Sequence, residues 1–414
     1  MAKIRPFAAY RPAPGMVSRI AALPYDVYNR EEATQVVKKN PDTFLAIDRA
    51  ETSFGPEVDT YAHQVYERAD NLLREKIAAG HFVKDPVPCF YLYEQTFESR
   101  SQTGIVACAS IDDYCNNVIK KHENTREDKE QDRIRHVDVC NMQTGPIFLT
   151  YRKDGRLEEI IRQAKRKKAV YDFVSEDGVG HRVWVVSGED EIAEIAECFR
   201  RIPAIYIADG HHRCASAVKV GMMRREAHPD YTGEEEFNFF LSVLFADEEL
   251  RIMDYNRVVR DLNGYSVEEF LEKTEECFLV EKKGKVPCRP DRKGTFGMYL
   301  EGSWYHLTAR ENILTSDAVE GLDVSLLQRY LLEPVLGIRD PRTDRRIDFV
   351  GGIRGLEELE RRVNKDMKVA FSMYPTSLRE LFEVADNGRL MPPKSTWFEP
   401  KLRSGLFLHD LEIR

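Results

Sequence analysis

The chain has 414 residues, of which 42% are hydrophobic and 10% are aromatic, and its formal net charge at pH 7 is −9. This length exceeds what one hydrophobic core ordinarily serves, so the sequence predicts two or three globular domains. The acidic balance disfavours a general nucleic-acid binder, and DNA is an unlikely partner, although a single basic site is compatible with it.

Targeting signals and cysteine usage predict a cytoplasmic protein. Residues 1–14 contain basic residues but no apolar stretch of the kind that secretory signals carry, and no apolar run approaches eighteen residues. We therefore expect no membrane partner. Eight scattered cysteines without a CxxC pair are typical of reduced thiols rather than of a disulfide framework or a zinc ribbon.

The first hundred residues carry helix signals followed by strand signals. Asn29 is a good N-cap for a short helix through Lys39, which the dipeptide at 40–41 would end. A longer helix is predicted over 57–79, because apolar residues recur on successive turns. Two runs with β character follow, at 89–97 and 104–111.

The polar segment 120–145 contains a candidate anion-binding helix. Thr125 and Asp128 have the spacing of a capping box that opens a helix. Three fixed positive charges and a histidine would then follow one face of this helix, which suits a polyphosphate or an acidic substrate. The alternative is a solvated helix with i,i+4 ion pairs. The basic residues of this face are Arg126, Lys129, Arg133 and His136.

Three residues just before this helix are candidates for catalysis. Glu123 or His122 could accept a proton from a hydroxyl group as a general base, and Lys121 could neutralise a transferring phosphoryl group. Each of them could equally be a surface residue. The HExxH, Walker A, GxSxG and kinase-loop signatures do not occur in the sequence.

Residues 204–222 form the most informative stretch. Five apolar residues, 204–208, predict a short buried strand that stops at Asp209-Gly210, and helical spacing then continues to residue 222. The first N–H groups of such a helix and its dipole attract anions, and the planar fork of Arg213 suits two phosphate oxygens. The alternative is a junction with only a structural role. Adjacent His211 and His212 diverge by about 100° on a helix, so we expect no metal bound by both.

Alternating strands and helices predict the fold class and the domains. Strands are expected at 237–245 and 250–259, and a second strand–glycine–helix junction at 347–363 is interpreted as a tight turn with close packing. The pattern favours an α/β or α+β fold with mixed sheets. We expect a main part over 1–260, which contains both polar stretches, and a C-terminal α/β domain over 261–414.

Five phrases of the sequence resemble a bacterial and archaeal family, the domain of unknown function DUF1015. The resemblance covers nearly the whole chain and its motifs are specific, but it implies no activity. The phrases are LPYDV at 23–27, KKHENTR at 120–126, NMQTGP at 141–146, ADGHHR at 208–213 and MPPKSTWFEPK at 391–401.

The stretch Asp209–Arg213 is also similar to a motif of the free-serine kinases in the ParB/sulfiredoxin-like superfamily. Sulfiredoxins carry a Gly-Cys-His-Arg version and ParB proteins a Gly-Glu-Arg-Arg version, each at a helix N-terminus where nucleotide phosphates bind. The resemblance implies that Gly210, His211, His212 and Arg213 hold phosphates. His211 stands where sulfiredoxin has its reactive cysteine, which disfavours reduction of sulfinic acids.

A few residues elsewhere could complete such a site. Lys394, Glu399 and Lys401 lie in a proline-flanked segment of the kind that often closes a site formed elsewhere, and Asp26 is a further candidate acid. The alternative is a C-terminal tail that is packed in place by Trp397 and its neighbour.

These observations favour a nucleotide-dependent phosphotransferase, or a nucleotide hydrolase, that acts on a small polar metabolite. ATP or ADP would bind with Mg²⁺, held chiefly by phosphates and by an acid such as Asp209. The alternatives are a ParB-like nucleotide-gated DNA-partition protein and a metabolite sensor without catalysis. The first of these needs a basic helix-turn-helix, which the region after residue 261 does not display.

Overall fold

A computed structural model of the chain describes residues 1–412. These residues form two compact units. The first unit comprises 1–121, 125–250 and the segment from Pro400 onwards, and the second comprises 122–124 and 251–399. This division falls earlier in the chain than the expected boundary at residue 260, and it returns the last segment to the first unit.

The helices and strands are numbered in chain order through both units. The helices are α1 Val17–Ile20, α2 Arg30–Lys39, α3 Leu45–Asp48, α4 His63–Ala78, α5 Ile111–Cys115, α6 Glu127–Cys140, α7 Gly155–Ala164, α8 Glu189–Arg201, α9 His211–Ala227, α10 Val267–Glu275, α11 Asp323–Leu327, α12 Gly355–Lys365 and α13 Leu378–Asp386. The strands are β1 Ile4–Arg5, β2 Tyr10–Pro12, β3 Phe82–Lys84, β4 Phe90–Phe97, β5 Arg100–Ser110, β6 Ile119–Lys120, β7 Met142–Gln143, β8 Ile147–Tyr151, β9 Tyr171–Val174, β10 Gly180–Val186, β11 Ile205–Asp209, β12 Phe239–Ala246, β13 Ile252–Met253, β14 Tyr255–Val259, β15 Phe278–Gly284, β16 Thr295–Leu300, β17 Ser303–Ala309, β18 Ile347–Gly351, β19 Val369–Met373, β20 Trp397–Phe398 and β21 His409–Asp410.

A mixed nine-stranded sheet organises the first unit. Its order is β6-β11-β8-β12-β5-β4-β10-β9, and β1 pairs with β5. Strand β11 runs parallel to β6 and antiparallel to β8, whereas β12 runs parallel to β8. Every residue of β12 is buried, as expected for a strand that is covered on both faces. The mixed α/β class predicted from the sequence is confirmed.

An antiparallel six-stranded sheet organises the second unit. Its order is β15-β17-β16-β19-β14-β18. The glycines at the end of β18 allow close packing, as predicted: a Cβ atom on Gly351 would lie 2.7 Å from the Trp397 ring, and one on Gly352 would collide with Asp254 Oδ1. This junction is therefore explained by packing alone.

The helix termini agree with the sequence at one position and differ at two. Asn29 caps α2, as predicted, and does so in a full capping box with Glu32. Helix α4 begins at His63 rather than near residue 57, because the preceding residues form turns. The predicted capping box of Thr125 is wrong: α6 has no side-chain cap, and the Thr125 hydroxyl donates instead to Glu130 Oε2 at 2.8 Å.

Two further findings bear on the predictions about cysteines and membranes. All eight cysteines lie within residues 1–412 and are free thiols. Among the helices described, none combines the length and the apolar character that a bilayer crossing needs.

Asp323 in the second unit gives a prediction on pH dependence. Its side chain is 7% exposed, Oδ1 accepts one hydrogen bond from the Gly294 N–H, and Oδ2 has no hydrogen-bond partner among residues 1–412. Burial, aided by the charge of Glu380, raises the pKa of Asp323 to about 7. The folded protein therefore binds a proton between pH 4 and pH 7 that the unfolded chain has released, and its stability falls as the pH rises through this range.

We expect Asp323→Asn to raise the free energy of unfolding at pH 8. The rise in pKa corresponds to as much as about 4 kcal/mol, of which the neutral amide should recover about half. Urea unfolding at pH 8 and at pH 4 measures the effect, and the gain should nearly vanish at pH 4, where Asp323 is protonated in the folded protein and about half protonated in the unfolded chain. Equal stability of the two proteins at pH 8 would show that Asp323 is not buried as a costly carboxylate.

Candidate functional site

The junction between β11 and α9 leaves helix N–H groups without acceptors. Gly210 connects the two elements with φ +90°, a left-handed conformation that glycine adopts without strain. The first helical hydrogen bond runs from the Cys214 N–H to the Gly210 carbonyl, and no side chain caps the helix. Within residues 1–412, the backbone N–H groups of His212 and Arg213 have no acceptor. This helix terminus therefore has the donors that an anion site needs.

The acidic residue beside this terminus is neutralised by a lysine from the C-terminal segment. Asp209 Oδ1 accepts a hydrogen bond from the Gly210 N–H at 2.7 Å, and Oδ2 lies 2.9 Å from Lys401 Nζ. Burial alone would raise the pKa of Asp209, but the charges of Lys401 and Arg213 hold it well below its ordinary value. The carboxylate is thus ionised, and its charge is paired.

Arg213 lies across two glycines of the predicted motifs. Its Nη1 donates to the Pro146 carbonyl at 2.7 Å. A Cβ atom on Gly210 would lie 3.1 Å from Arg213 Nη2, and one on Gly145 would lie 3.6 Å from Nη1. The absence of a side chain at Gly210 makes room for the guanidinium group, whereas a Cβ atom on Gly145 would be in ordinary van der Waals contact with it. The phrases at 141–146 and 208–213 therefore meet at Arg213.

His212 links α9 to the start of α6. Its Nε2 accepts a hydrogen bond from the Arg126 backbone N–H at 2.9 Å, which places the ring proton on Nδ1. Burial lowers the pKa of His212, although the charge of Asp26 opposes this change. His211 is buried as the first residue of α9. His212 thus satisfies a donor at the N-cap of α6, a role that the sequence did not predict.

Two members of the predicted basic face lie at the start of α6 with protein partners. Arg126 is the N-cap rather than a residue within the helix, and its guanidinium group pairs with Asp128 at 2.9 Å. Lys129 Nζ lies 3.4 Å from the Tyr61 hydroxyl.

The other two members of the face are buried, which corrects the prediction of side chains presented to a ligand. Arg133 pairs with its neighbour Asp132 at 2.9 Å and lies 4.0 Å from the centre of the Tyr25 ring. His136 Nε2 donates to the Ile47 carbonyl at 3.3 Å, and burial lowers the pKa of this histidine. The solvated-helix alternative is equally wrong for these positions. The physical reason is that the acid next in sequence supplies the counter-charge inside the fold.

Arg133 and Arg213 line one small cavity in the first unit. Its volume is about 30 Å³, and a second cavity of about 60 Å³ shares four of its residues and reaches Lys129. Each is large enough for water rather than for a nucleotide. The Thr144 hydroxyl donates to Asp48 Oδ1 at 3.0 Å in the same place. The residues that line both cavities are Tyr25, Asp48, Arg133 and His136.

This cavity brings the separate motifs of the first unit together. Tyr25 comes from the phrase at 23–27, Thr144 from 141–146 and Arg213 from 208–213, and α6 contributes Arg133.

Comparison with known protein families identifies the family of this chain. Residues 4–325 match a family described as "Protein of unknown function (DUF1015)". The chain belongs to the DUF1015 family. The resemblance is thereby confirmed; four of the five phrases lie within the matched residues, and the phrase at 391–401 lies beyond them.

Solved structures similar to this DUF1015 protein include two nucleotide complexes. A free serine kinase mutant in complex with AMP is 13% identical, with 71% of this chain and 86% of that chain covered and a TM-score of 0.37. A complex of such a mutant with ADP is also 13% identical, with 72% and 88% covered and a TM-score of 0.37. SbnI with a C-terminal truncation, from Staphylococcus aureus, is 10% identical, with 71% and 82% covered and a TM-score of 0.37. No curated protein matches the chain.

The candidate catalytic residues of the DUF1015 protein belong to different units. Lys121 lies in the first unit, with Nζ 5.9 Å from the centre of the Tyr114 ring. His122 and Glu123 group with the second unit. His122 is buried, with Nε2 3.4 Å from the Thr396 hydroxyl, whereas Glu123 is half-buried.

The remaining predicted residues divide in the same way. Lys401 lies at the Asp209 carboxylate in the first unit, whereas Lys394 and Glu399 lie in the second. Glu399 Oε1 accepts a hydrogen bond from Trp397 Nε1 at 3.0 Å, and the Trp397 ring packs edge-on against Tyr255. The packed-tail alternative thus describes Trp397, whereas Lys401 pairs with Asp209.

Several residues that line the cavity were not predicted as site residues. Asp48 carries no local signal, because it lies in a short helix without a motif. Tyr25 and Thr144 stand in two of the phrases that carry the family resemblance, so these phrases were the signal that could have identified them.

Proposed function

We propose that this DUF1015 protein is a nucleotide-dependent phosphotransferase that acts on a small polar metabolite, with ATP or ADP as the donor. The observation that carries the proposal is the uncapped N-terminus of α9, where two N–H groups lack acceptors beside the guanidinium group of Arg213. Such a terminus binds anions through its N–H groups and its dipole together.

The charges around this terminus support an anionic ligand. A carboxylate at Asp209 would repel phosphate, but its ion pair with Lys401 removes that obstacle. Arg213 donates one of its five N–H groups to Pro146, which leaves others for phosphate oxygens. Phosphoryl transfer depends largely on positioning and charge stabilisation, so this set of donors is chemically adequate for holding the donor nucleotide.

The acid predicted to help to hold Mg²⁺ already has other partners. Asp209, the predicted acid, already has an ammonium partner at 2.9 Å and a backbone N–H at 2.7 Å. Its oxygens do not fit the role of a metal ligand while these contacts hold. The proposed roles of the protein groups therefore do not involve a metal.

Glu123 is the proposed general base for the acceptor hydroxyl. It is half-buried, and its carboxylate can take up a proton. His122 is the competing candidate, but its buried ring already has the Thr396 hydroxyl within reach of Nε2. Lys121 is proposed to offset the charge of the transferring group.

A direct assay tests the proposal. The protein is incubated with ATP or ADP and a panel of small hydroxyl-bearing metabolites, and phosphorylated products are sought by mass spectrometry and ³¹P NMR. We expect one product that forms at the expense of the nucleotide. Nucleotide loss with release of inorganic phosphate alone would indicate a hydrolase, and an unchanged nucleotide would contradict both activities.

Arg213→Met is expected to weaken nucleotide binding about ten- to a hundred-fold. The reason is the loss of a charged hydrogen-bond donor, which contributes about 1.5–3 kcal/mol. Calorimetric titration with ATP and with ADP measures the affinity, and a parallel unfolding curve checks for the lost bond to Pro146. Arg224→Met is the matched control, because Arg224 lies near the other end of α9 and pairs with Asp138. Equal affinities of both variants would assign Arg213 a structural role only.

A further inference from the structure

Arg257 is a buried arginine that has no acidic partner. It lies within β14 and is 4% exposed. Nη1 donates to the Tyr255 carbonyl, Nη2 donates to the Lys394 carbonyl at 3.0 Å, and the Phe349 ring centre lies 5.4 Å from the guanidinium carbon. Within residues 1–412, no ion pair includes Arg257. The positive charge is therefore met only by backbone carbonyls and an aromatic ring.

Asp254, the acidic residue nearest to Arg257 in the sequence, already has other partners. Asp254 Oδ2 accepts a hydrogen bond from Asn256 Nδ2 at 2.7 Å, and Oδ1 lies 3.3 Å from Arg289 Nη1. By contrast, the buried Arg133 and Arg403 of the first unit pair with Asp132 and Asp177. Arg257 departs from the pattern that these arginines follow.

A charge in such surroundings needs a counter-charge to be favourable. Buried ions in proteins are ordinarily paired, because the desolvation of an unpaired ion is costly. Burial lowers the pKa of Arg257 to about 10, so the guanidinium group is still protonated at neutral pH. Carbonyl groups accept two of its five N–H donors, and the others suit the two oxygens of a carboxylate or phosphate.

The surroundings add a second cation and several aromatic rings. Lys394 adopts a left-handed φ of +59°, and its Nζ lies 5.6 Å from the centre of the Tyr255 ring. The ring centres of Trp397 and Phe349 lie 4.9 Å and 5.8 Å from that of Tyr255. Two cations beside apolar rings are typical of sites for an anion that carries an apolar part.

We propose that the second unit binds the carboxylate or phosphate group of a small metabolite at Arg257, with Lys394 as the second cation. Arg257 would supply a two-pronged contact to the oxygens. The aromatic rings would select for the attached apolar part. This site is independent of the nucleotide site proposed for the first unit.

Titration of the full chain with simple anions tests the site. Inorganic phosphate and acetate are added separately, at constant ionic strength and without nucleotide, to the wild type, Arg257→Met and Arg289→Met. Arg289 is the control, since its side chain belongs to the same unit but is 56% exposed. We expect at least one anion to bind the wild type and Arg289→Met, and to bind Arg257→Met at least ten-fold more weakly. The anion that binds identifies the ligand group.

Two outcomes would overturn the proposal: neither anion binds the wild type, or Arg257→Met binds as tightly as the wild type. If Arg257→Met does not fold, Arg257→Lys is the variant that tests the site. Lysine keeps the positive charge but lacks the planar pair of N–H donors that arginine offers to two oxygens. The affinity of this variant should fall several-fold, and an unchanged affinity would overturn the proposal. Because nucleotide is absent throughout, failure here leaves the phosphotransferase proposal intact, and the reverse also holds.

Discussion

Glu123→Gln is expected to slow phosphoryl transfer by about 10²–10⁴-fold and to leave nucleotide affinity nearly unchanged. This range is usual for the loss of a general base. Glutamine keeps the shape of the side chain but cannot take up the proton of an acceptor hydroxyl. Initial rates at saturating nucleotide, together with calorimetric affinities, separate the loss of chemistry from a loss of binding.

Glu127→Gln is the matched control for this experiment. Glu127 is an exposed acid that opens α6, four residues further along the chain, and it should retain the wild-type rate. A wild-type rate for Glu123→Gln would contradict the assignment. The base would then be sought at His122, Asp26 or Glu399.

Arg133→Met is expected to lower the free energy of unfolding by about 3–5 kcal/mol, the usual cost of removing one partner of a buried ion pair. Asp132 is 7% exposed, and the substitution leaves its carboxylate without its cation. Among the described residues, the remaining side-chain hydrogen-bond donor to it is the Tyr66 hydroxyl at 2.9 Å. Denaturant unfolding of the full chain measures the effect. Such a loss would show that Arg133 stabilises the fold as one partner of a buried ion pair.

The double variant Asp132→Asn/Arg133→Met tests whether the lost stability comes from the unpaired charge of Asp132. It removes both charges, so it should recover most of the lost stability. Arg135→Met is the control on the same helix, because Arg135 is exposed and reaches only the Tyr61 carbonyl at 3.5 Å. A loss below about 1 kcal/mol for Arg133→Met would show that this ion pair contributes no more to stability than a surface ion pair does.

Local features of the fold were predictable from the sequence. The strand, glycine and helix of residues 204–222 were correct because all their signals are contiguous: an apolar run, Asp209-Gly210 and then helical spacing. Asn29 was recognised as a cap because it directly precedes a short helical segment that ends before residues 40–41, whereas its capping-box partner Glu32 was not predicted. Short-range hydrogen bonds of this kind depend on neighbouring residues alone.

Features that depend on tertiary contacts were not predictable. The face of α6 was expected to be open because the helical pattern cannot show that Tyr25 and Asp132 enclose Arg133. The ion pair of Asp209 and Lys401 joins residues that are 192 positions apart. Lys401 belongs to the first unit because the segment from Pro400 onwards returns to that unit. No change in composition along the sequence indicates this return.

A crystal structure of the chain with a bound, non-hydrolysable ATP analogue tests the central claim most directly. The proposal predicts phosphate oxygens at hydrogen-bond distance, about 2.7–3.2 Å, from the backbone nitrogens of His212 and Arg213, with the Arg213 guanidinium group against the same phosphates. Arg224, near the far end of α9, should lie outside the site. Phosphates bound elsewhere, with the N-terminus of α9 in contact with solvent alone, would contradict the proposal.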